Sequence, residues 1–388
     1  MRCLGLMSGT SADGVDAVLV DFDGPCPRPR WRLIHHHHHP YPADLRERVI
    51  AAGQGHAMAA ADWLQLGDAI TEAQATAAIG CDPEGSAALV GCHGQTVWHR
   101  PPEGERRGAS WQMLHGPLLA ERLRRPVVHD FRAADLALGG QGAPLVPAAD
   151  AALLGGIGGW RALLNLGGIA NITLIPPAVG PDRHAAVQGW DCGPANSLID
   201  LAMAAFSNGE CCVDRDGALA AAGVCDEALI EQWLQESYLL RDPPKSTGRE
   251  LFGRADLNRR LAAMGARSQP DVIATLTGFT AALVAQDLDR LQQRAGIRPL
   301  ELIVAGGGQH NLTLMQGLRR RCHGVALRNS DALDIPAEAR EALVFALLAW
   351  WHQRRHPGNA PAITGASRPA VLGVMAQPSG GVAAQPGR

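Results

Sequence analysis

MSGTSADGVD occupies residues 7–16 and NLGGIANIT occupies residues 165–173. Each stretch interrupts an apolar run with small and polar residues. RCLGLMS (2–8) passes through the first turn into VDAVLVDF (15–22), and WRALLNLGGIANITLIPP (160–177) crosses the second in the same way. Alternating apolar residues broken by such a turn read as strand, turn, strand. Beyond the first hairpin, RWRLIHHHHHP (30–40) reads as a third strand and ADWLQLGDAITEAQATAAIG (61–80) has apolar residues at helical spacing. SAALVGCHGQTVWHRP (86–101) is then a buried strand ending in a polar turn. Beyond the second hairpin and several helices, PLELIVAGGGQHNLTLM (299–315) is a buried strand that breaks into glycines before a helix. LVGCHGQTV therefore aligns with LIVAGGGQHN as the two hairpins align with each other. This internal repeat predicts an α/β protein of two similar lobes, each opening on a glycine-rich hairpin. The second lobe carries an insertion around 200–270.

A chain of 388 residues has material for two domains, because single cores seldom grow beyond about 250–300 residues. With 46% apolar and 19% charged residues it should pack throughout most of its length. A formal charge of -3 argues against nucleic-acid and anionic-membrane partners. The nine cysteines contain no C-x-x-C pair, and Cys211 and Cys212 are neighbours, so neither a disulfide framework nor a structural zinc site is encoded. MRCLGLMSGT is no signal peptide, and no apolar stretch reaches the ~20 residues of a membrane span, so a cytoplasmic location is expected. Lys245 is the one lysine among 35 basic residues. It lies in RDPPKSTGRE without a preceding glycine loop, which excludes a P-loop and a protein-kinase strand lysine.

Towards the C-terminus, IPAEAREALVFALLAWWHQRR (335–355) reads as a helix with Pro336 in its first turn, and the chain beyond about 373 as a frayed tail. The five histidines 35–39 fall inside the third strand. Alternation sends neighbours to opposite faces, so at most two or three converge, and an exposed or edge strand is expected.

Glycine-rich turns present backbone N–H groups that can hold phosphate oxygens without a lysine. Three such turns in one chain could surround one nucleotide. Together with GCHGQTVWHRP (91–101), GGQGAPLVPAAD (139–150), GWDCGPANSLID (189–200), KSTGRELF (245–252) and ITGA (363–366), the turns resemble the anhydro-N-acetylmuramic acid kinase family, in family order along nearly the whole chain. The resemblance implies the actin-like, RNase H-like ATPase fold with a nucleotide and substrate cleft between two lobes. It places the N-terminal lobe at 1–132 plus about 345–373, the C-terminal lobe at 133–344 and a flexible tail at 374–388.

The activity implied is phosphorylation of O6 of 1,6-anhydro-N-acetylmuramic acid by ATP, with water opening the anhydro ring, in cell-wall recycling. Asp191 matches the family's catalytic base; from the residues alone it could also cap the helix that SLIDLAMAAF begins. ATP phosphates are expected on Gly9, Thr10, Ser11, Ala12, Asp13, Gly14, Val15 and Asp16, and on Gly167, Gly168 and Asn171. Gly306, Gly307, Gly308 and Asn311 are expected at the adenosine. Mg²⁺ is expected near Asp13 and Asp16, directly or through water, although Asp16 could equally be a polar residue on an exposed strand face. For the sugar the candidates are His93, Gln95, Arg132 and Glu341. Arg132 suits a lactyl carboxylate and otherwise reads as a surface arginine; Glu341, on an apolar helix, needs a partner or solvent. Two departures from the family pattern are Cys192, where threonine is usual, and Ala12, where a bulkier apolar residue is usual. Lys245 matches the family motif without an assignable chemical step. A homodimer is implied. Two other readings stay open at this level: a non-catalytic nucleotide-switched protein on the same fold, and a kinase for another sugar.

Overall fold

The computed structural model describes residues 1–9, 11–248, 250–333, 335–336 and 338–379. Thr10 lies outside the described residues. In chain order the strands are β1 (Arg2–Ser8), β2 (Gly14–Asp23), β3 (Arg30–Pro40), β4 (Leu89–Arg100), β5 (Ala109–Met113), β6 (Val127–His129), β7 (Arg161–Leu166), β8 (Ile169–Ile175), β9 (Gln188–Pro194), β10 (Glu301–Ala305), β11 (Ala326–Asn329) and β12 (Val374–Ala376). The chain divides into two compact units, Met1–Leu154 with Glu338–Arg388, and Gly155–Ala337. The division falls later than residue 132 and earlier than residue 345, so the segment 133–154 belongs to the first unit rather than the second.

In the first unit the sheet order is β12-β6-β4-β1-β2-β3, with β5 paired to β4. β1, β2 and β3 are antiparallel neighbours, while β4 runs parallel to β1 and β6 parallel to β4. One face packs against the helix Ala60–Cys81, predicted at 61–80, through a core that includes Leu6, Val15, Leu66 and Ile70. The other face receives the helix Arg340–Gln353, whose residues Ala342 to Trp351 are all buried. Glycines let that helix come close. Gly5 on β1 pairs with Gly91 on β4, and a Cβ on either would lie 2.0 or 2.1 Å from the carbonyl oxygens of Ala342 and Phe345.

Two expectations change here. The helix starts at Arg340 and not at Pro336, because the segment before it turns back, with the Ile335 N–H bonded to Ser330 O. Nor is residue 374 the start of a frayed tail: Val374–Ala376 pairs antiparallel with Val127–His129 and supplies the edge strand of the sheet.

The second unit repeats the plan. Its order is β11-β10-β7-β8-β9, with β7, β8 and β9 antiparallel and β10 and β11 parallel to β7 and β10 in turn. Renaming strands by rank along each path gives 3-2-1-4-5 in the second unit and 3-2-1-4-5-6 in the first, where β12 adds an edge strand and β5 lies off the path; the shared 3-2-1-4-5 is the duplication that the paired turns predict. The core is built around the long helix Gln269–Ala295, which is capped by Ser268 at its start and by Gly296 in the left-handed region at its end.

Candidate active site

In the second unit three polar residues stand side by side across the sheet. Asn165 on β7 pairs with Asn171 on β8, and Asn171 pairs with Asp191 on β9. The row ends the strands where the Gly167–Gly168 turn links β7 to β8. The third glycine turn adjoins it, since β10 is parallel to β7 and Ala305 pairs with Asn165. Gly306 has φ +79, and a Cβ there would sit 2.9 Å from Asn165 Oδ1 and Leu166 O, so the two turns interlock only with glycine at this position. At Gly307 a Cβ would meet nothing within 4 Å, and at Gly167 and Gly168 nothing closer than 3.6 Å, so the backbone there is open to a ligand. Asn196 secures the second turn, its N–H bonding Gly167 O and its side chain Leu166 O. Asn165 and Asn196 were not among the sequence candidates; the signal present was their place beside the glycines.

The Asp191 side chain does not cap the following helix, whose N-cap is Ala195. Its Oδ2 instead accepts from the Thr247 N–H at 2.9 Å. Burial raises its carboxyl above the ordinary 3.8 against the pull of the Thr247 N–H and then of the nearby Ser246 hydroxyl. A carboxylate so placed is a stronger base than one in water. The Asp191 backbone is gripped too, with its N–H bonded to Lys245 O and its C=O accepting from Tyr238 Oη.

Asn311 Oδ1 accepts from the Leu314 N–H as the N-cap of the helix Leu312–Arg321.

In the first unit, the turn between β1 and β2 is held from below. Ser8 Oγ lies 2.7 Å from Gly14 O and 2.6 Å from Gln95 Oε1, while Gln95 Nε2 donates to Gly9 O. Gln95 is buried, and both ends of its amide are engaged in fixing this turn. Gly14 likewise answers to packing, since a Cβ there would be 2.4 Å from His39 O. Ala12, with φ 51, and Val15 are fully buried, so their side chains face the core and only backbone is offered outward. Ser11 and Asp13 are exposed and bond each other, Oγ to Oδ1 at 3.0 Å.

Asp16 is no plain surface residue. Its Oδ1 lies 3.2 Å from His36 Nε2 and 3.0 Å from His38 Nδ1, so two of the five histidines converge on it while His35 turns away to donate to Cys81 O. Among the described residues no group of three or more His, Cys, Asp or Glu side chains is arranged to hold a metal ion.

Buried His93 and half-buried Arg132 form one device. His93 Nδ1 donates to Gly94 O at 2.9 Å, leaving Nε2 to accept from Arg132 Nη2 at 3.0 Å. Arg132 Nη1 also donates to Gly142 O. Burial, then the Arg132 charge, pushes the His93 imidazole down to about 3, so it stays neutral. Gly142 is in turn set by Asp135, whose carboxylate accepts from its N–H, from Asn359 and from Thr364, which ties the GGQG and ITGA motifs together. Glu341 stands exposed at the first turn of its helix. Arg340 itself is taken by Asp150 in a buried bidentate pair at 3.1 and 2.5 Å.

Two units that share the strand order 3-2-1-4-5, each with a glycine hairpin between its first two strands, define a duplicated RNase H-like α/β protein. The sequence model of the anhydro-N-acetylmuramic acid kinases matches residues 1–378. The chain is similar to the anhydro-N-acetylmuramic acid kinase of Synechococcus sp. strain CC9902, at 69% identity over 97% of this chain and 100% of that one. It is 52% identical to that of Prochlorococcus marinus strain MIT 9211, over 98% and 100%. The chain belongs to the anhydro-N-acetylmuramic acid kinase family. Among solved structures, the ROK hexokinase of Thermus thermophilus aligns at 18% identity over 91% of this chain and 100% of that one, with a TM-score of 0.36. Component A of the Acidaminococcus fermentans (R)-2-hydroxyglutaryl-CoA dehydratase aligns at 13% over 90% and 98%, with a TM-score of 0.41. No helix among the described residues is long and apolar enough to cross a membrane.

Proposed function

We propose that the chain transfers the γ-phosphoryl group of ATP to O6 of 1,6-anhydro-N-acetylmuramic acid while water opens the anhydro bridge, giving N-acetylmuramic acid 6-phosphate and ADP. The observation that carries this reading, beyond family membership, is the half-buried Asp191 carboxylate in line with Asn165 and Asn171 beside two open glycine turns. Asp191 takes a proton from the water whose oxygen bonds to C1. The C1–O6 bond breaks, O6 bonds to the γ-phosphorus, and the bond from that phosphorus to the ADP oxygen breaks. A base raised by burial towards the working pH suits the first of these steps, since proton transfer is most efficient near matched pKa values. The backbone N–H groups around Gly167 and Gly168, and around Gly9 and Ser11, serve the phosphates, with Gly306 to Gly308 at the nucleoside.

His93 and Arg132 serve the sugar as a unit: the neutral imidazole spends its free nitrogen on holding the guanidinium, and the guanidinium meets the lactyl carboxylate. Gln95 and Glu341 are the remaining sugar candidates. Asp13 and Asp16 would hold Mg²⁺, an oxygen-ligand ion that typically takes one or two carboxylates with substrate phosphates. When bound, the ion neutralises charge on the transferred phosphoryl group. A cytoplasmic homodimer completes the reading. The test is a coupled assay of ADP release with 1,6-anhydro-N-acetylmuramic acid, N-acetylmuramic acid and N-acetylglucosamine. Release is expected with the anhydro sugar alone; equal release with all three, or none with any, would overturn the reading.

A further inference from the structure

The chain's only lysine has no place in the chemistry above, yet it is among the most deeply buried charges. The Lys245 side chain is 2% exposed and its Nζ donates to Asp287 Oδ1 at 2.9 Å. Asp287 sits on the long helix Gln269–Ala295, and its other oxygen, Oδ2, accepts from Trp190 Nε1 at 2.9 Å. Cys192, on the other side of Asp191, is buried, and burial and then the nearby Asp287 carboxylate push its thiol up. Trp190, the neighbour before Asp191, is thus tied to the carboxylate that holds Lys245. Lys245 in turn gives its carbonyl to the Asp191 N–H, and two residues further on the Thr247 N–H meets the Asp191 carboxylate. The bonds close a ring running Asp287, Trp190, Asp191, Thr247, Lys245 and back to Asp287.

We propose that the Lys245–Asp287 pair is the positioning device for Asp191. It locks the 245–247 segment in the one register that sets the Thr247 N–H and the Ser246 hydroxyl against the Asp191 carboxylate. The ring explains why a lysine stands here at all. A single cation on a flexible stem can cross from the segment to the helix, and in a desolvated setting the pair holds both ends only while both charges are present. The Tyr238 ring, 5.5 Å from Nζ, covers it, while the Tyr238 hydroxyl holds the Asp191 carbonyl, so the same residue closes the ring from outside.

The inference rests on Asp191 being the base, and its test separates the two claims. Lys245→Met alone leaves a buried unpaired carboxylate and is expected to unfold the protein readily. The double variant Lys245→Met/Asp287→Asn removes both charges while an amide oxygen still accepts from Trp190 Nε1, and losing both members of a buried pair costs far less than losing one. It is expected to melt near the wild type, to lose hydrogen-exchange protection at the Thr247 amide, and to lose turnover on the order of 10²-fold with an unchanged KM for ATP. Thr247 protection retained in a folded double variant, or lost with full turnover, would overturn the proposal. Protection lost in the variant while the wild type releases no ADP with the anhydro sugar would uphold the positioning role and sink the proposed reaction instead.

Discussion

At the scale of single residues, Asp191 and His93 show how burial acts in opposite directions on an acid and a base. Asp191 is raised by desolvation, so its ionised form appears only above the ordinary 3.8. Turnover should fall on the acid side with a midpoint above that value, measured as initial rates of ADP release across pH. Asp191→Asn should lower turnover by ~10²–10⁴-fold while ATP affinity, measured by calorimetric titration, stays within a few fold; an active variant would remove Asp191 as the base. His93 is depressed from 6.5 to about 3 by burial and by Arg132. Its folded value lies below its unfolded one, so the stability of the neutral ring is fully present above about pH 6.5 and is lost progressively as pH falls towards 3. Urea denaturation between pH 7 and pH 5 should show wild type losing stability in that window. His93→Gln, which does not titrate, should show a shallower slope, and equal slopes would mean that His93 does not carry the effect. Neither shift is visible in the sequence, where both residues are short polar interruptions of apolar strands. Their burial comes from partners distant in the chain, Phe345 stacked on His93 and Lys245 bonded to Asp191.

At the scale of elements, what the sequence conveys best is turn chemistry and period, and what it conveys least is the reason for a given glycine. β3 is found at its predicted bounds, 30–40, and the histidine run divides between its two faces because a strand can do nothing else. Gly14, Gln95 and Asn311 look like ligand contacts because they sit in polar motifs. In the fold they are also a close strand contact, a brace and a helix cap, roles set by neighbours more than 20 residues away for the first two and by the local helix for the third. Asp287, the hub of the ring, is one aspartate in a 27-residue helix and gives no signal at all. Gly5 and Gly91 are the opposite case, where geometry leaves little freedom. A methyl at either would overlap a backbone carbonyl of the helix Arg340–Gln353, which cannot move aside as a side chain could. Gly91→Ala should therefore destabilise by about 1–3 kcal/mol, the range for overpacking, as a drop in the urea midpoint with the slope unchanged. A variant as stable as wild type would show that the helix can slide outward at no cost.

At the scale of the whole molecule, the duplicated strand order is legible because each half repeats the same hairpin and the same strand-to-glycine break; the unit boundaries are less so, because the glycine run GGIGG (155–159) at the first and Pro336 beside the second read as turns like many others in the chain. The structure places the second unit, Gly155–Ala337, on one uninterrupted stretch of chain, whereas the first is assembled from Met1–Leu154 and Glu338–Arg388. The first unit needs its returning piece: the helix Arg340–Gln353 covers one face of its sheet, and β12 pairs with β6 at its edge. The second unit has its own core, spanning Trp160 to Cys322, and its sheet takes no strand from elsewhere. Its size is that of an ordinary independent domain, commonly 50–200 residues. Residues 155–337 expressed alone should therefore unfold cooperatively, with near-ultraviolet and far-ultraviolet circular dichroism signals falling together in urea. Residues 1–154 alone should not, since they lack the buried helix that faces Gly5 and Gly91 and would expose that apolar surface. Adding the 338–388 piece in trans should restore a cooperative transition to 1–154 and leave 155–337 unchanged. A cooperative transition in 1–154 by itself would mean that the returning helix is an ornament on a sheet already stable, and the glycine pair would then need another explanation.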